Sequence, residues 1–116
     1  MSNLVDLRSI NKEDIFEIFH LADKIQEGKF KGFLNGKSIV LLFPNTSIRT
    51  RVTFEKGIYL LGGQPILFPT ETLDKKEKLE DVYGYLENWA DVVSVRHRNM
   101  DVIRELVRYS TVPVIN

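Results

Sequence analysis

Ser38-Ile39-Val40-Leu41-Leu42-Phe43 is an unbroken apolar run behind one serine, set between Gly36 and Pro44. It shows no polar–apolar alternation, so it predicts a strand buried on both faces, the kind found in parallel sheets. Soon after it comes Ser47-Ile48-Arg49-Thr50-Arg51, which opens a helical pattern running to Gly62-Gly63. Two hydroxyls and two guanidiniums therefore sit where a strand hands over to a helix. Free backbone N–H groups point outward at such a junction, and the helix dipole adds partial positive charge. An arginine can grip phosphate oxygens through two parallel hydrogen bonds. The junction predicts a small phosphate compound held at the carboxyl end of a strand, where open α/β sheets hold their ligands.

Working outward, the same alternation recurs. Asn11 reads as a helix cap with Asp14 three residues on, and Ile15, Phe16, Ile18, Phe19, Ala22 and Ile25 follow at helical spacing up to a stop at Gly28. In the helix after Arg51, Val52 and Tyr59 make one apolar face and Phe54, Ile58 and Leu61 another, so packing from two sides is expected. Residues 65–68 predict a second strand and 69–76 a polar surface loop. A third helix is expected over about 77–89, with Leu79, Val82, Tyr83 and Leu86 inward. A third strand covers 92–95, a fourth helix begins at an Asn99 cap, and a fourth strand covers 112–115. The implied fold is a three-layer α/β domain, with a parallel sheet of about four strands, right-handed crossovers and helices on both faces. All carboxyl ends then share one edge, which brings residues 47–51, 70–76 and 96–98 together.

Composition narrows the function. A chain of 116 residues can bury one core and is too short for two domains. Sixteen basic residues balance sixteen acidic ones, so no basic field recommends nucleic acid. No apolar run approaches the ~20 residues that span a bilayer, and the N-terminus lacks signal-peptide regions, so no membrane role is expected. The absence of cysteine removes disulfide and thiolate chemistry and suits the cytoplasm. Neither G-x-x-x-x-G-K-[ST] nor G-x-G-x-x-G occurs, and Phe43-Pro44-Asn45 lacks the acidic residue of a receiver domain. No two-histidine metal spacing exists, and no metal or cofactor is expected. Arginines at a helix start oppose the dipole, so solvation alone explains Arg49 and Arg51 poorly. Arg51 lies deeper and is spaced to pair with Glu55, which suits a structural role. Arg96 ends a strand on the ligand edge and suits ligand contact. His97 reads as a hydrogen-bonded structural residue, and Asp74, Glu77, Glu80 and Asp81 as acidic charge at a helix start.

Phe43-x-x-x-Ser47-Ile48-Arg49-Thr50-Arg51-x-x-Phe54-Glu55 resembles the carbamoyl-phosphate signature of the aspartate/ornithine carbamoyltransferases, F-x-E/K-x-S-T-R-T-R-x-S-F-E. The likeness continues through Leu61-Gly62, residues 75–81 (K-G-E-S-I-E-D-T in the family), residues 90–97 and residues 112–116. It covers essentially the whole chain and the N-terminal part of the family's length. The resemblance implies a carbamoyl-phosphate-binding domain, residues 1–116, of an enzyme that transfers a carbamoyl group to an amino-acid amino group. It implies that Ser47, Arg49, Thr50 and the Ile48 backbone hold the phosphate of carbamoyl phosphate. Thr50 and Arg96 would contact the carbamoyl oxygen, and Lys75 would match a lysine that enters a neighbouring subunit's site. It further implies a homotrimer. Three departures stand out: Ile48 for threonine, Asn45 for a charged residue, and Lys76 for glycine. The family's H-P-x-Q block and amino-acid-binding domain lie beyond Asn116, so the chain is expected to be part of something longer and inactive alone. The alternative is a stand-alone, non-catalytic phosphate-binding or trimerisation module.

Overall fold

The computed structural model describes residues 3–74 and 78–116. Strand β1, Ser38–Phe43, pairs in parallel on both sides: with β2, Gln64–Pro69, and with β3, Val92–Val95. Strand β4, Val114–Ile115, pairs in parallel with β3, and the order across the sheet is β2-β1-β3-β4. Helix α1 is Lys12–Gln26, α2 Ile48–Leu60, α3 Leu79–Glu87 and α4 Met100–Tyr109. The parallel α/β sheet with helices on both faces is as expected.

The apolar run of β1 does what its pattern implies. Val40 and Leu42 face α3 and α4 and join Tyr83, Leu86, Val93, Val95, Ile103, Leu106 and Val114 in one core. Ile39, Leu41 and Phe43 face the other way, against Ile58 of α2. Each such fully buried aliphatic side chain contributes about 1.5–3 kcal/mol relative to exposure. Both ends of β1 are pinned as well. At its start, Asp91 accepts the Ser38 N–H on its carboxylate at 2.8 Å and donates its own N–H to the Ser38 carbonyl at 2.8 Å. Helix α2 ends where Gly62 adopts φ +90°; a Cβ there would lie 1.8 Å from the Asn35 amide oxygen, so only glycine fits.

Three expectations need correction, and the apolar face of α1, whose helix and Asn11 cap are as expected, is left largely open. Helix α1 buries none of its apolar residues: Phe16 is 56% exposed and Phe19 59%. Its helical periodicity is real, but the described residues leave most of that face open. Helix α2 is likewise packed from one side only, with Val52 59% and Tyr59 65% exposed. The third helix, expected over 77–89, spans Leu79–Glu87 among the described residues. The fourth strand is half its expected length. The Ser110 hydroxyl donates to the Val112 carbonyl, and the Val112 N–H donates back to Ser110 Oγ at 3.1 Å, so Val112 has no backbone group left for the sheet. Past β4, the chain start adds an unanticipated edge. Leu4 forms a parallel bridge with Ile115, its N–H donating to the Val114 carbonyl at 2.9 Å.

Tyr83 ties α3 to this same corner. Its ring is fully buried, and its hydroxyl lies 2.9 Å from Ser110 Oγ, whose own proton is already given to Val112. Tyr83 is therefore the donor. Burial pushes its phenol above the ordinary value, the hydrogen bond with Ser110 opposes this, and the Glu87 carboxylate adds to the rise. Below about pH 10 the tyrosine is protonated in folded and unfolded chains alike. Above that, the unfolded chain releases the proton while the folded one still holds it, so the unfolded state binds fewer protons and stability falls as pH rises. Denaturant melts from pH 8 to 11 should show this loss, and Tyr83→Phe should flatten the alkaline limb.

Candidate functional site

The carboxyl ends of β1 and β3 deliver the expected side chains to one place. After Phe43 the chain turns at Pro44, with the Ser47 N–H donating to the Pro44 carbonyl at 2.9 Å, and then enters α2. The Arg96 N–H donates to the Leu42 carbonyl at 2.9 Å, which fixes that arginine's backbone beside the turn. The result is an open cleft of about 450 Å³ lined by Thr46, Ser47, Ile48, Arg49, Thr50 and Arg96. Ser47 and Thr50 are half-buried, whereas Ile48, Arg49 and Arg96 are exposed.

The start of α2 differs from those of α1 and α4. Asn11 caps α1 by accepting the Asp14 N–H at 2.8 Å, and Asn99 caps α4 by accepting the Asp101 N–H at 2.9 Å. Ser47 makes no such bond, and the first turn of α2 holds no acidic residue. Among the described residues, the backbone N–H groups of Arg49 and Thr50 have no acceptor. Orphan donors at a positive helix end, with two guanidiniums nearby and no carboxylate among the described lining residues, suit an anion.

A second cavity adjoins the first and shares Thr50 and Arg96 with it. It measures about 310 Å³ and is lined further by Phe43, Phe54, Ser94, Val95, Ile115 and Asn116. Phe43 and Phe54 stack edge-to-face there, with ring centres 5.3 Å apart. Arg51 is half-buried, one turn into α2, and among the described residues it forms no ion pair with Glu55. The described part of the loop after β2, residues 70–74, does not line the cleft. Thr70, Glu71 and Asp74 line a separate cavity with Pro44, His97 and Arg98. Lys75, expected in the site, and Lys76 lie outside the described residues.

Residues 2–116 match the family model for the aspartate/ornithine carbamoyltransferase, carbamoyl-P binding domain. The chain belongs to this family. The chain is 36% identical to an ornithine carbamoyltransferase of Archaeoglobus fulgidus, over all of this chain and 40% of that one. It superposes on an anabolic ornithine carbamoyltransferase of Campylobacter jejuni with a TM-score of 0.91 and 30% identity, over 100% of this chain and 39% of that one. An aspartate transcarbamoylase of Trypanosoma cruzi, solved in complex with phosphate, matches with a TM-score of 0.84 and 28% identity, over 99% of this chain and 38% of that one. The chain thus spans about 40% of the length of the curated relatives it matches.

The cleft brings together Ser47, Ile48, Arg49, Thr50 and Arg96 as sequence placed them. Sequence reasoning passed over Thr46, whose only signal is its place beside Ser47, and Asn116 in the adjoining cavity. It also missed the contact between His97 and Asp74, which no local pattern announces. Because Ser47 does not cap α2, Ser47→Ala should leave thermal stability nearly unchanged. Asn99→Ala removes a working cap and should cost about 1 kcal/mol in a denaturant melt.

Proposed function

We propose that this chain is the carbamoyl-phosphate-binding part of a carbamoyltransferase, and that the phosphate sits in the cleft at the start of α2. The observation that carries the reading is the uncapped helix start: orphan N–H groups on Arg49 and Thr50, flanked by two arginines and, among the described residues, no carboxylate. Ser47, Arg49 and Thr50 hold the phosphate. The Ile48 backbone, expected to join them, already donates its N–H to the Thr46 carbonyl at 3.0 Å, so the free backbone donors are those of Arg49 and Thr50, and the loss of a threonine hydroxyl at position 48 leaves them in place. Thr50 and Arg96, which line both cavities, reach the carbamoyl oxygen.

In the transfer, the acceptor's neutral amino group attacks the carbamoyl carbon. A C–N bond forms, the C–O bond to phosphate breaks, and the amine proton leaves to the departing phosphate or to solvent. Negative charge gathers first on the carbonyl oxygen and then on the phosphate. Arg96 and Thr50 stabilise the first, and Arg49 with the helix N–H groups the second. Lys75 is proposed to act in a neighbouring subunit's site. The acceptor is an amino acid, bound largely by residues outside this chain, so this chain alone should show no turnover.

Association into a trimer is part of the proposal. Val52 and Tyr59, exposed on α2, are spaced along one face of that helix and suit burial against another copy. Light scattering at high protein concentration should detect self-association, and a strictly monomeric solution would remove this part. For the site itself, calorimetric titration with carbamoyl phosphate should show weak saturable binding. Arg49→Ala should lower the affinity roughly ten-fold or more, since it removes a bidentate charged contact. Equal affinity in the two proteins would take Arg49 out of the site.

A further inference from the structure

Arg96 and His97 are neighbours in sequence and part company in space. Arg96 lines the anion cleft. His97 lines a different cavity of about 190 Å³, and its side chain is only 4% exposed. The backbone before Arg96 is held by β1, through the Leu42 carbonyl. Strand β3 stops at Val95, so sheet pairing does not hold the backbone that follows. The His97 ring does. Its Nδ1 accepts the Asn99 N–H at 2.9 Å, which leaves the ring proton on Nε2, and Nε2 donates to the Asp74 carboxylate at 2.8 Å. Each nitrogen has one role, so the ring cannot flip without breaking both bonds.

The span of this clip matters. Asp74 ends a 3₁₀ turn, Thr70–Asp74, that follows β2, and His97 follows β3. Those strands are not neighbours, because β1 lies between them. Strands sit about 4.8 Å apart, so the clip bridges roughly 10 Å over the carboxyl end of β1, beside Pro44. That is where the chain leaves the sheet for Ser47 and α2. On its other side, His97 is bonded to Asn99, which caps α4.

We infer that His97 and Asp74 are positioning residues: they brace the end of β3 so that Arg96 projects into the anion cleft. The functional consequence rests on the phosphate-site reading above. Among the described residues, the Arg96 guanidinium has no hydrogen bond or ion pair of its own, so its direction is set by its backbone. Releasing His97 frees the backbone torsions on the C-terminal side of Arg96. The arginine then loses order before it meets an anion, and binding bears that ordering cost.

Asp74→Ala and Asp74→Asn separate this from general destabilisation. Asparagine keeps a carbonyl oxygen opposite Nε2, and alanine does not. Two readouts are taken: the Arg96 Nε–Hε signal by NMR without ligand, and the affinity for inorganic phosphate by calorimetry. Asp74→Ala should shift or broaden the Arg96 signal and weaken phosphate roughly five-fold, the loss of one modest hydrogen bond. Asp74→Asn should restore both. An Arg96 signal in Asp74→Ala that superimposes on the parent's overturns the inference, as does failure of Asp74→Asn to restore it. If the parent shows no saturable phosphate binding, the anion-site reading fails, and the Arg96 signal alone then decides the clip.

Discussion

Strand β1 is hydrogen-bonded on both edges and buried on both faces, and every other part of the site takes its position from it. Its flanks hold β2 and β3 in parallel, so their carboxyl ends emerge on the same edge. Its two faces anchor α2 on one side and α3 with α4 on the other. A strand in that position tolerates no polar side chain and no slip in register, because a one-residue slip would turn each face to the opposite core. Fixing β1 thus fixes where Pro44 turns, where α2 starts and where Arg96 lies.

The start of α2 breaks a local rule that α1 and α4 obey. Those helices carry an asparagine cap and an acidic residue in the first turn. Helix α2 has neither, and Arg49 and Arg51 place like charge against the positive end of its dipole. Each such mismatch costs about 0.3–1 kcal/mol at an exposed helix end. A bound anion reverses the sign of every term at once: it accepts from the orphan N–H groups, meets the dipole favourably and neutralises the guanidiniums. Helix α3 also lacks a side-chain cap but carries Glu80 and Asp81 in its first turn, so among the described helices α2 alone combines an open start with no acidic residue, the kind of local violation a binding site imposes on an otherwise consistent fold.

The parts legible in the sequence are those governed by local pattern. Residues 38–43 announce a doubly buried strand because no polar residue interrupts them. Ser47, Arg49 and Thr50 are read from their place after that strand. The misjudged parts depend on contacts that periodicity does not record. Spacing shows that Phe16 and Phe19 share a helix face, but not whether anything covers it. Val112 has the composition of a strand, yet a single serine hydroxyl takes both its backbone groups. The Asn3 side chain accepts the Val114 N–H at 2.8 Å across a separation of 111 residues. The Asp74–His97 contact joins two loops that only the strand order brings together.

In the proposed transfer, the chemistry of the cleft would also divide the work between the two reactants. Its charged side chains are arginines, and its exposed backbone groups are donors. Such a surface recognises the oxygen-rich, negatively charged end of a reactant and gains strength as charge develops there. It is poorly suited to the other reactant. An ammonium is repelled by two guanidiniums, and a neutral amine needs an acceptor to direct its proton and orient its lone pair. Of the lining side chains, only the hydroxyls of Thr46, Ser47 and Thr50 can accept, and the last two are drawn toward the anion. This edge can therefore fix the electrophile and its leaving group, while the nucleophile's geometry has to be set by groups of a different character. The pairing of β1, β2 and β3 accounts for the rigidity of the first task, since a leaving group held at a sheet edge moves only if the sheet does.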